Sequence, residues 1–335
     1  MCDRPSGLID RFGRRVTYLR LSVTDRCDLR CSYCMSETMR FLARSEVLSY
    51  EELDRLSTLF IELGVRKLRI TGGEPLVRPG VMTLFGALSR HLESGALDEL
   101  TLTTNGTQLA RYAETLAGFG VRRVNVSLDT LDAETYRRLT RLGRIDKVLG
   151  GIDAALAAGL RVKLNAVALR GAFEHEVDEL IGFAHSRGMD LTIIEQMPLG
   201  LTGFSREETH LPLHELRQAL EQRWTLTPIA HSAGGPARFV RVEETGGRLG
   251  FITPLSCDFC GSCNRVRLSA TGALFTCMGH EGAIELRETL RGGGSATVLK
   301  RMVRAAVRAK PEGHDFAIAP SASRGIARTM SVLGG

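Results

Sequence analysis

The stretch Cys27-Asp28-Leu29-Arg30-Cys31-Ser32-Tyr33-Cys34 follows directly on the run VTYLRLSV at 16–23, whose apolar and β-branched character predicts a strand. Outward from this pair, short apolar runs at 67–70, 100–104, 123–127, 161–168 and 191–196 alternate with longer segments at 50–63, 80–92, 109–119, 145–158 and 174–186. In the longer segments leucines and alanines recur every three or four residues, which predicts amphipathic helices. Such alternation predicts parallel strands joined by right-handed crossovers. Six strands of this kind make either an open doubly wound sheet or an incomplete barrel.

After Pro198 the pattern changes. Residues 199–209 read as a loop and 213–222 as a helix. Runs at 239–242 and 249–252 flank a Gly-rich turn and predict a hairpin, and 299–310 reads as an Arg-rich helix. The expected division is therefore 1–198 and 199–335. The 335-residue length suits one large domain or two ordinary ones, and 43% hydrophobic with 24% charged residues excludes a disordered or fibrous chain. No run approaches the roughly 18 apolar residues of a membrane helix. The charged opening segment, MCDRPSGLIDRFGRRVTY, is unlike a signal peptide, so a cytoplasmic location is expected. The net charge, 44 − 38 = +6, fits an anionic substrate or a loose affinity for nucleic acid and selects neither.

The eight cysteines are placed unevenly: Cys2 alone, then Cys27, Cys31 and Cys34, then Cys257, Cys260, Cys263 and Cys277. Two tight groups in an unexported chain point to metal rather than disulfides. The spacing C-x3-C-x2-C provides three thiolates for three corners of a [4Fe–4S] cubane, leaving one iron open to a small chelating molecule. Zinc prefers four ligands, and no histidine lies near this loop. The second group offers several triads, and spacing alone favours Cys257, Cys260 and Cys263. Polar segments close the strands: Thr71-Gly72-Gly73-Glu74-Pro75, Leu102–Gly106, Asn125–Asp129 and Glu195–Pro198. Glycines let a backbone approach a ligand, a carboxylate can receive an ammonium group, and strand ends form the active face of a parallel barrel. Taken singly, the Gly-Gly pair is a turn, Ser127 a helix cap and Met197 a core residue.

With Tyr33 before its third cysteine, the first group resembles the signature of the radical S-adenosylmethionine (SAM) superfamily. The resemblance implies that the open iron chelates SAM and that an electron cleaves its sulfonium. The resulting 5′-deoxyadenosyl radical then abstracts hydrogen from an unactivated carbon. It assigns Tyr33, Gly73, Glu74, Ser127 and Met197 to SAM. The second group, Phe259-Cys260-x2-Cys263-x-Arg265-x-Arg267-Leu268 with Cys277 fourteen residues after Cys263, resembles the GTP 3′,8-cyclase (MoaA) family of molybdenum cofactor biosynthesis, over about residues 12–335.

That resemblance selects Cys260, Cys263 and Cys277 for a second [4Fe–4S] cluster, leaves Cys257 as an extra, and brings Gly334 and Gly335 into the active site. It implies an incomplete (β/α)6 TIM-type barrel of parallel strands, with a C-terminal α+β lid carrying the second cluster. Arg20, Arg69, Thr103, Lys163, Arg265 and Arg267 match positions that contact GTP, and arginine forks suit phosphate oxygens. Arg265, Arg267, Gly334 and Gly335 are the expected catalytic group. The implied reaction removes hydrogen from C3′ of GTP, joins C3′ to C8 of guanine, and yields 3′,8-cyclo-7,8-dihydro-GTP after reduction. One departure stands out: Thr192 occupies a position where many members carry arginine, and Arg170 or Arg324 are the candidates to replace it. The implied partners are GTP, an external electron donor and the downstream cyclic pyranopterin monophosphate synthase, for a monomer or homodimer with no nucleic acid. The alternatives are a two-cluster enzyme acting on a peptide, a tRNA-modifying one, and a zinc module without activity. His175, His185, His210 and His280 read as ordinary surface or core residues.

Overall fold

The computed structural model describes residues 7–200, 206–231, 234–255, 259–316, 326 and 328–334. Cys2, Cys257, Arg324 and Gly335 lie outside them. A short antiparallel ribbon, β1 (Leu8–Ile9) and β2 (Arg15–Val16), precedes β3 (Tyr18–Ser22). There follow α1 (Tyr50–Glu62), β4 (Lys67–Thr71), α2 (Val81–Glu93), β5 (Glu99–Thr104), α3 (Leu109–Gly118) and β6 (Arg123–Ser127). Then come α4 (Ala133–Thr140), α5 (Ile145–Ala157), β7 (Arg161–Ala168), α6 (Phe173–Ser186) and β8 (Asp190–Glu195). The six strands expected from the alternation are β3 to β8, paired in parallel and in chain order.

The helices form for local reasons. Ser49 and Glu52 close a capping box at the start of α1, which buries Leu53, Leu56, Leu59 and Phe60. Helix α4 was not anticipated. Asp132 caps it by accepting from the Thr135 amide, but its buried residues, Tyr136, Leu139 and Thr140, span too few turns to show a period.

The remaining elements are α7 (Arg206–Thr209), α8 (Leu213–Glu221), β9 (Leu226–Ile229), β10 (Arg238–Val242), β11 (Arg248–Ile252) and β12 (Arg265–Leu268). These lead to β13 (Ala273–Phe275), β14 (Ile284–Glu285), α9 (Arg287–Arg291), α10 (Ala296–Arg308) and α11 (Met330–Leu333). The segment read as loop at 199–209 thus ends in a short helix, α7. The expected hairpin is β10–β11. Its second strand lies parallel beside β8, while β12 lies parallel beside β3. Among the described residues this makes one mixed sheet in the order β14-β13-β12-β3-β4-β5-β6-β7-β8-β11-β10-β9, with eight parallel strands at its centre. Strands β3 and β8 would otherwise be edges with unpaired backbone groups.

Side chains alternate across the sheet. Leu19, Leu21, Leu68, Ile70, Leu102, Val124, Val126, Leu164, Leu191, Ile193, Val266 and Leu268 belong to the core cluster that also takes in the helices. Their neighbours, Tyr18, Arg20, Arg69, Thr103, Ser127, Lys163, Asn165, Arg265 and Arg267, line a cavity on the other face. Leu268 is fully buried in the strand that fastens the C-terminal region to β3. Leu268→Ala is expected to lower the unfolding free energy by about 2–5 kcal/mol, read from the midpoint of anaerobic denaturant unfolding.

Candidate active site

The cavity has a volume of about 310 Å³. Its floor is cationic because three arginines fall at one level of adjacent strands: Arg267 of β12 pairs in register with Arg20 of β3, and Arg20 with Arg69 of β4. Two residues back along the strands, Arg265 lies beside Tyr18, and Tyr18 beside Lys67. Lys163 of β7 adds a further cation, its Nζ 5.1 Å from the centre of the Phe239 ring. Among the described lining residues the only carboxylates are Asp129 and Glu195.

The electrostatics record the crowding. Burial, then the neighbouring Arg267, pushes the Arg20 guanidinium well below its ordinary value. Burial and Arg265 bring Arg267 down to about 10, and burial with Arg69 and Arg123 brings Lys163 down to about 7. Burial would raise the Tyr18 phenol, but Arg69, Arg20, Lys67 and Arg265 outweigh it and the net shift is downward. The Arg69 Nε and the Thr103 hydroxyl are buried without a hydrogen-bond partner among the described residues. Gathering buried cations costs several kcal/mol per ion unless a counter-charge compensates. A polyanionic ligand is the chemistry this arrangement suits.

Two groups of thiols line the same cavity, and strand direction places them at opposite ends of it. Cys27, Cys31 and Cys34 lie in the loop leaving the C-terminal end of β3. Cys260 and Cys263 precede the N-terminal end of β12, which runs parallel to β3. Strand β13 returns antiparallel with Phe275 opposite Arg267, so Cys277, two residues further, comes level with Arg265 and joins Cys260 and Cys263. All six are free cysteines. Burial raises the thiols of Cys27 to about 12 and Cys34 to about 11, and burial also raises Cys31 well above its ordinary value. Burial would raise Cys263 too, but Lys310 and Arg265 outweigh it and lower it.

Among the described residues no three His, Cys, Asp or Glu side chains converge as ligands of a single metal ion. Three soft thiol donors at each end, facing one cavity, are the donor set that holds an iron–sulfur cluster with one iron left open.

The loop of the first group is braced from three sides. The Tyr33 hydroxyl donates to Asp129 at 2.5 Å, and Asp129 also accepts from the Val167 amide at 2.8 Å. Asn105 donates from Nδ2 to Asp28 at 2.7 Å and approaches Cys27 Sγ at 3.8 Å. Gly73 lies against the Asp25–Arg26 backbone so closely that a Cβ there would sit 2.4 Å from the Arg26 carbonyl oxygen. Glu74 does not line the cavity. It is fully buried and accepts from the amides of Leu76 and Asn105 and from the Thr104 hydroxyl.

Gly334 is also held tightly. Arg267 donates to its carbonyl at 2.6 Å, its φ is +76°, and a Cβ would collide with the Thr71 hydroxyl. The structure therefore brings Arg20, Arg69, Thr103, Lys163, Arg265, Arg267, Tyr33, Gly73, Ser127, Met197 and all six cysteines to one cavity, with Gly334 against its wall.

Arg170 does not stand in for an arginine at Thr192. It is tied at the surface to Glu215 at 2.7 Å and to the His210 carbonyl, because the strand that carries it has already ended. Thr192 is buried on β8 between Asn165 and Gly250, its hydroxyl without a partner among the described residues. Among the described residues, Ile326 is held by a bridge to Leu199, and 328–334 by Arg267 on Gly334 and by Arg328 on Glu281 at 3.2 Å.

Sequence reasoning marked the strand-end segments that contain Asn105, Asp129 and Gln196 but gave these three no role, and it missed Asn165; all four line the cavity. It also missed Lys310, whose buried ammonium donates to the Arg265 and Thr276 carbonyls on both arms of the second thiol group. The first four are polar residues at or near strand ends, a signal that was available; Lys310 read as one more cation of an Arg-rich helix.

Glu74 carries a testable consequence. Burial raises its carboxyl from 4.5 to about 7, so between those values the folded chain holds a proton that the unfolded chain has lost. Stability from this group is therefore present below pH 4.5 and lost as pH rises toward 7. Unfolding free energies of wild type and Glu74→Gln, compared over pH 4.5–7, should diverge by about 3 kcal/mol, the wild type losing more. A constant difference would contradict this account.

The comparisons with known proteins agree with the geometry. Residues 21–184 match the model of the Radical SAM superfamily, and residues 189–316 match that of Molybdenum Cofactor Synthesis C. A GTP 3′,8-cyclase of Rhodopseudomonas palustris is 58% identical over 99% of this chain and 96% of its own. GTP 3′,8-cyclases of Nitrobacter winogradskyi and Agrobacterium fabrum are 58% and 57% identical, over 98% and 100% of this chain and 96% of each relative. In fold, the chain is similar to Streptococcus suis SuiB in its crystal structure bound to S-adenosylmethionine. The TM-score is 0.62 at 16% identity, over 91% of this chain and 77% of that one. This chain belongs to the GTP 3′,8-cyclase family of radical SAM enzymes.

Proposed function

We propose that this cavity carries out the family's reaction, the conversion of GTP and SAM to 3′,8-cyclo-7,8-dihydro-GTP, the first step of molybdenum cofactor biosynthesis. The observation that carries the reading is the in-register row Arg267–Arg20–Arg69 between two thiol groups. The row, with Arg265, Lys163 and Thr103, takes the triphosphate. Cys27, Cys31 and Cys34 hold the cluster that binds SAM, and Cys260, Cys263 and Cys277 hold a second [4Fe–4S] cluster. When bound, the first cluster and SAM supply the 5′-deoxyadenosyl radical that removes the C3′ hydrogen.

The chain's own residues orient and protect. Tyr33 and Asp129 fix the loop beside SAM, while Gly73, Ser127 and Met197 present its binding wall. Glu74 acts by holding Asn105 and Thr104 in place. Arg267 spans the phosphate row and the Gly334 carbonyl, so substrate and Gly334 share one cation. The curved parallel strands act as an incomplete barrel, and the region after 198 covers it as a lid. No described helix is long and apolar enough to cross a membrane. We place the enzyme in the cytoplasm, supplied by an external reductant and followed by cyclic pyranopterin monophosphate synthase.

The deciding experiment is 5′-deoxyadenosine release by anaerobically reconstituted, reduced protein given SAM with GTP, ATP or no nucleotide. Stimulation by GTP alone, with a cyclised nucleotide accumulating, is expected; release indifferent to GTP would overturn the substrate. Cys31→Ala should abolish release. Arg267→Ala should keep the cluster absorbance and lower kcat/KM for GTP about 10- to 100-fold.

Lys163 makes GTP binding depend on pH. With its free value near 7, the ammonium is largely neutral at pH 8, and a bound triphosphate draws a proton back onto it. Calorimetry in buffers of different ionisation enthalpy should show proton uptake on GTP binding at pH 8. Affinity should fall as pH rises further, and both effects should vanish in Lys163→Gln.

A further inference from the structure

The outer side of the second thiol group carries a surface that the reaction above does not use. The β1–β2 ribbon exposes two large apolar side chains, Ile9 at 44% on β1 and Phe12 at 40% in the turn. The turn is rigid: Asp10 accepts from the Phe12 and Arg14 amides and pairs with the Arg14 guanidinium at 2.5 Å. The guanidinium carbons of Arg11 and Arg14 lie 4.8 and 5.1 Å from the centre of the Phe12 ring. Helix α10 packs on β1 and α1 through Leu299, Val303, Ala306 and Val307. Its other face exposes Arg301, Arg304 and Arg308 at three- and four-residue spacing, none in an ion pair with a described residue. Arg11 and Arg15 are exposed as well.

This surface connects directly to the second group. Arg14 is buried and donates to the Cys260 carbonyl at 2.8 Å and to the Pro311 and Glu312 carbonyls, just beyond α10. Lys310, between α10 and Pro311, donates to the Arg265 carbonyl at 3.2 Å. An exposed aromatic flanked by Arg11 and Arg14, with an arginine-bearing helix face packed behind the same ribbon, is the composition of an interface. The exposed charges named here are all arginines, so a second copy of this chain docked face to face would set arginines against arginines.

We propose that Ile9, Phe12, Arg11, Arg15 and the arginine face of α10 form the docking surface for the external reductant, an acidic-faced one-electron carrier protein. The inference rests on the reading that Cys260, Cys263 and Cys277 hold a cluster. The step is one outer-sphere electron transfer: the carrier is oxidised by one electron, that cluster is reduced by one, and no bond forms or breaks. Electron-transfer encounters are small, transient and electrostatically steered, which suits a patch of this size and sign.

The test uses reconstituted full-length protein, wild type and the charge reversal Arg301→Glu/Arg304→Glu/Arg308→Glu, with Phe12→Ala as a second variant. Reduced flavodoxin serves as the acidic carrier and reduced methyl viologen as a small cationic reductant. Stopped-flow bleaching of the clusters reads the rate, and fluorescence anisotropy with oxidised flavodoxin reads binding. The expected result is at least a tenfold slower flavodoxin-driven reduction by the charge reversal at low salt, with the steep salt dependence of wild type lost and binding weakened. Phe12→Ala should weaken binding without changing the salt dependence. The viologen-driven rate should be unchanged in both variants, showing that the clusters are intact.

An unchanged flavodoxin rate at low salt would overturn the proposal. So would a wild-type dimer that dissociates on charge reversal, or tight salt-sensitive binding of tRNA in place of flavodoxin. Failure of the functional reading itself would look different: wild-type protein holding no second cluster, or releasing no 5′-deoxyadenosine under viologen.

Discussion

Arg267, Arg20 and Arg69 stand side by side on three adjacent parallel strands, facing inward. Like charges at this spacing repel, and burial strips them of water, so such a row is tolerated only in a structure that holds it from outside. The hydrophobic face of the same strands supplies that hold. Leu19, Leu21, Leu68, Ile70, Val266 and Leu268 alternate with the cations and are buried in the core shared with the helices. Strand periodicity thus turns one short sequence, RVRL at 265–268 or YLRLS at 18–22, into both an anchor and a charged wall. A polyanion set against this row would relieve that repulsion.

Strand direction organises the rest. A parallel sheet has two distinct ends. The loop leaving β3 and the loop entering β12 therefore place their thiols on opposite sides of the arginine row. The β12–β13 hairpin brings Cys277 back to the level of Arg265, which is why a cysteine fourteen residues beyond Cys263 joins its group. Each thiol group is steadied by polar contacts of its own: Tyr33 with Asp129 and Asn105 with Asp28 at one end, Lys310 and Arg14 on backbone carbonyls at the other. A substrate fixed on the row between them faces both.

Arg267 links the arginine row to the C-terminal segment. It donates to the Gly334 carbonyl while standing beside Arg20, and Gly334 has no room for a side chain beside Thr71. The 328–334 segment is thereby packed against the same strand ends as the first thiol loop. Among the described residues, Arg267, Arg328 and the Leu199–Ile326 bridge hold this segment.

By itself the amino-acid sequence determined the strand–helix alternation and the two cysteine-rich stretches. These rest on local periodicity and close spacing, which a linear reading can count; the cavity cations and the place of Cys277 came from the family resemblance of the motifs. It missed α4, whose buried face is shorter than a helical repeat. It also placed Arg170 among the candidates to replace an arginine at Thr192, although Arg170 is paired at the surface with Glu215. Only the tertiary structure decided that β11 and β12 extend the parallel sheet at both edges, that Arg267 is level with Arg20 and Arg69, and that Glu74 is a buried brace. It alone showed that Lys310 and Arg14 grip the second thiol loop. The physical reason is common to all of these. Strand register and the partners of a buried charge are set by pairings between residues up to hundreds of positions apart, and no local pattern encodes which distant strand will cover an open edge.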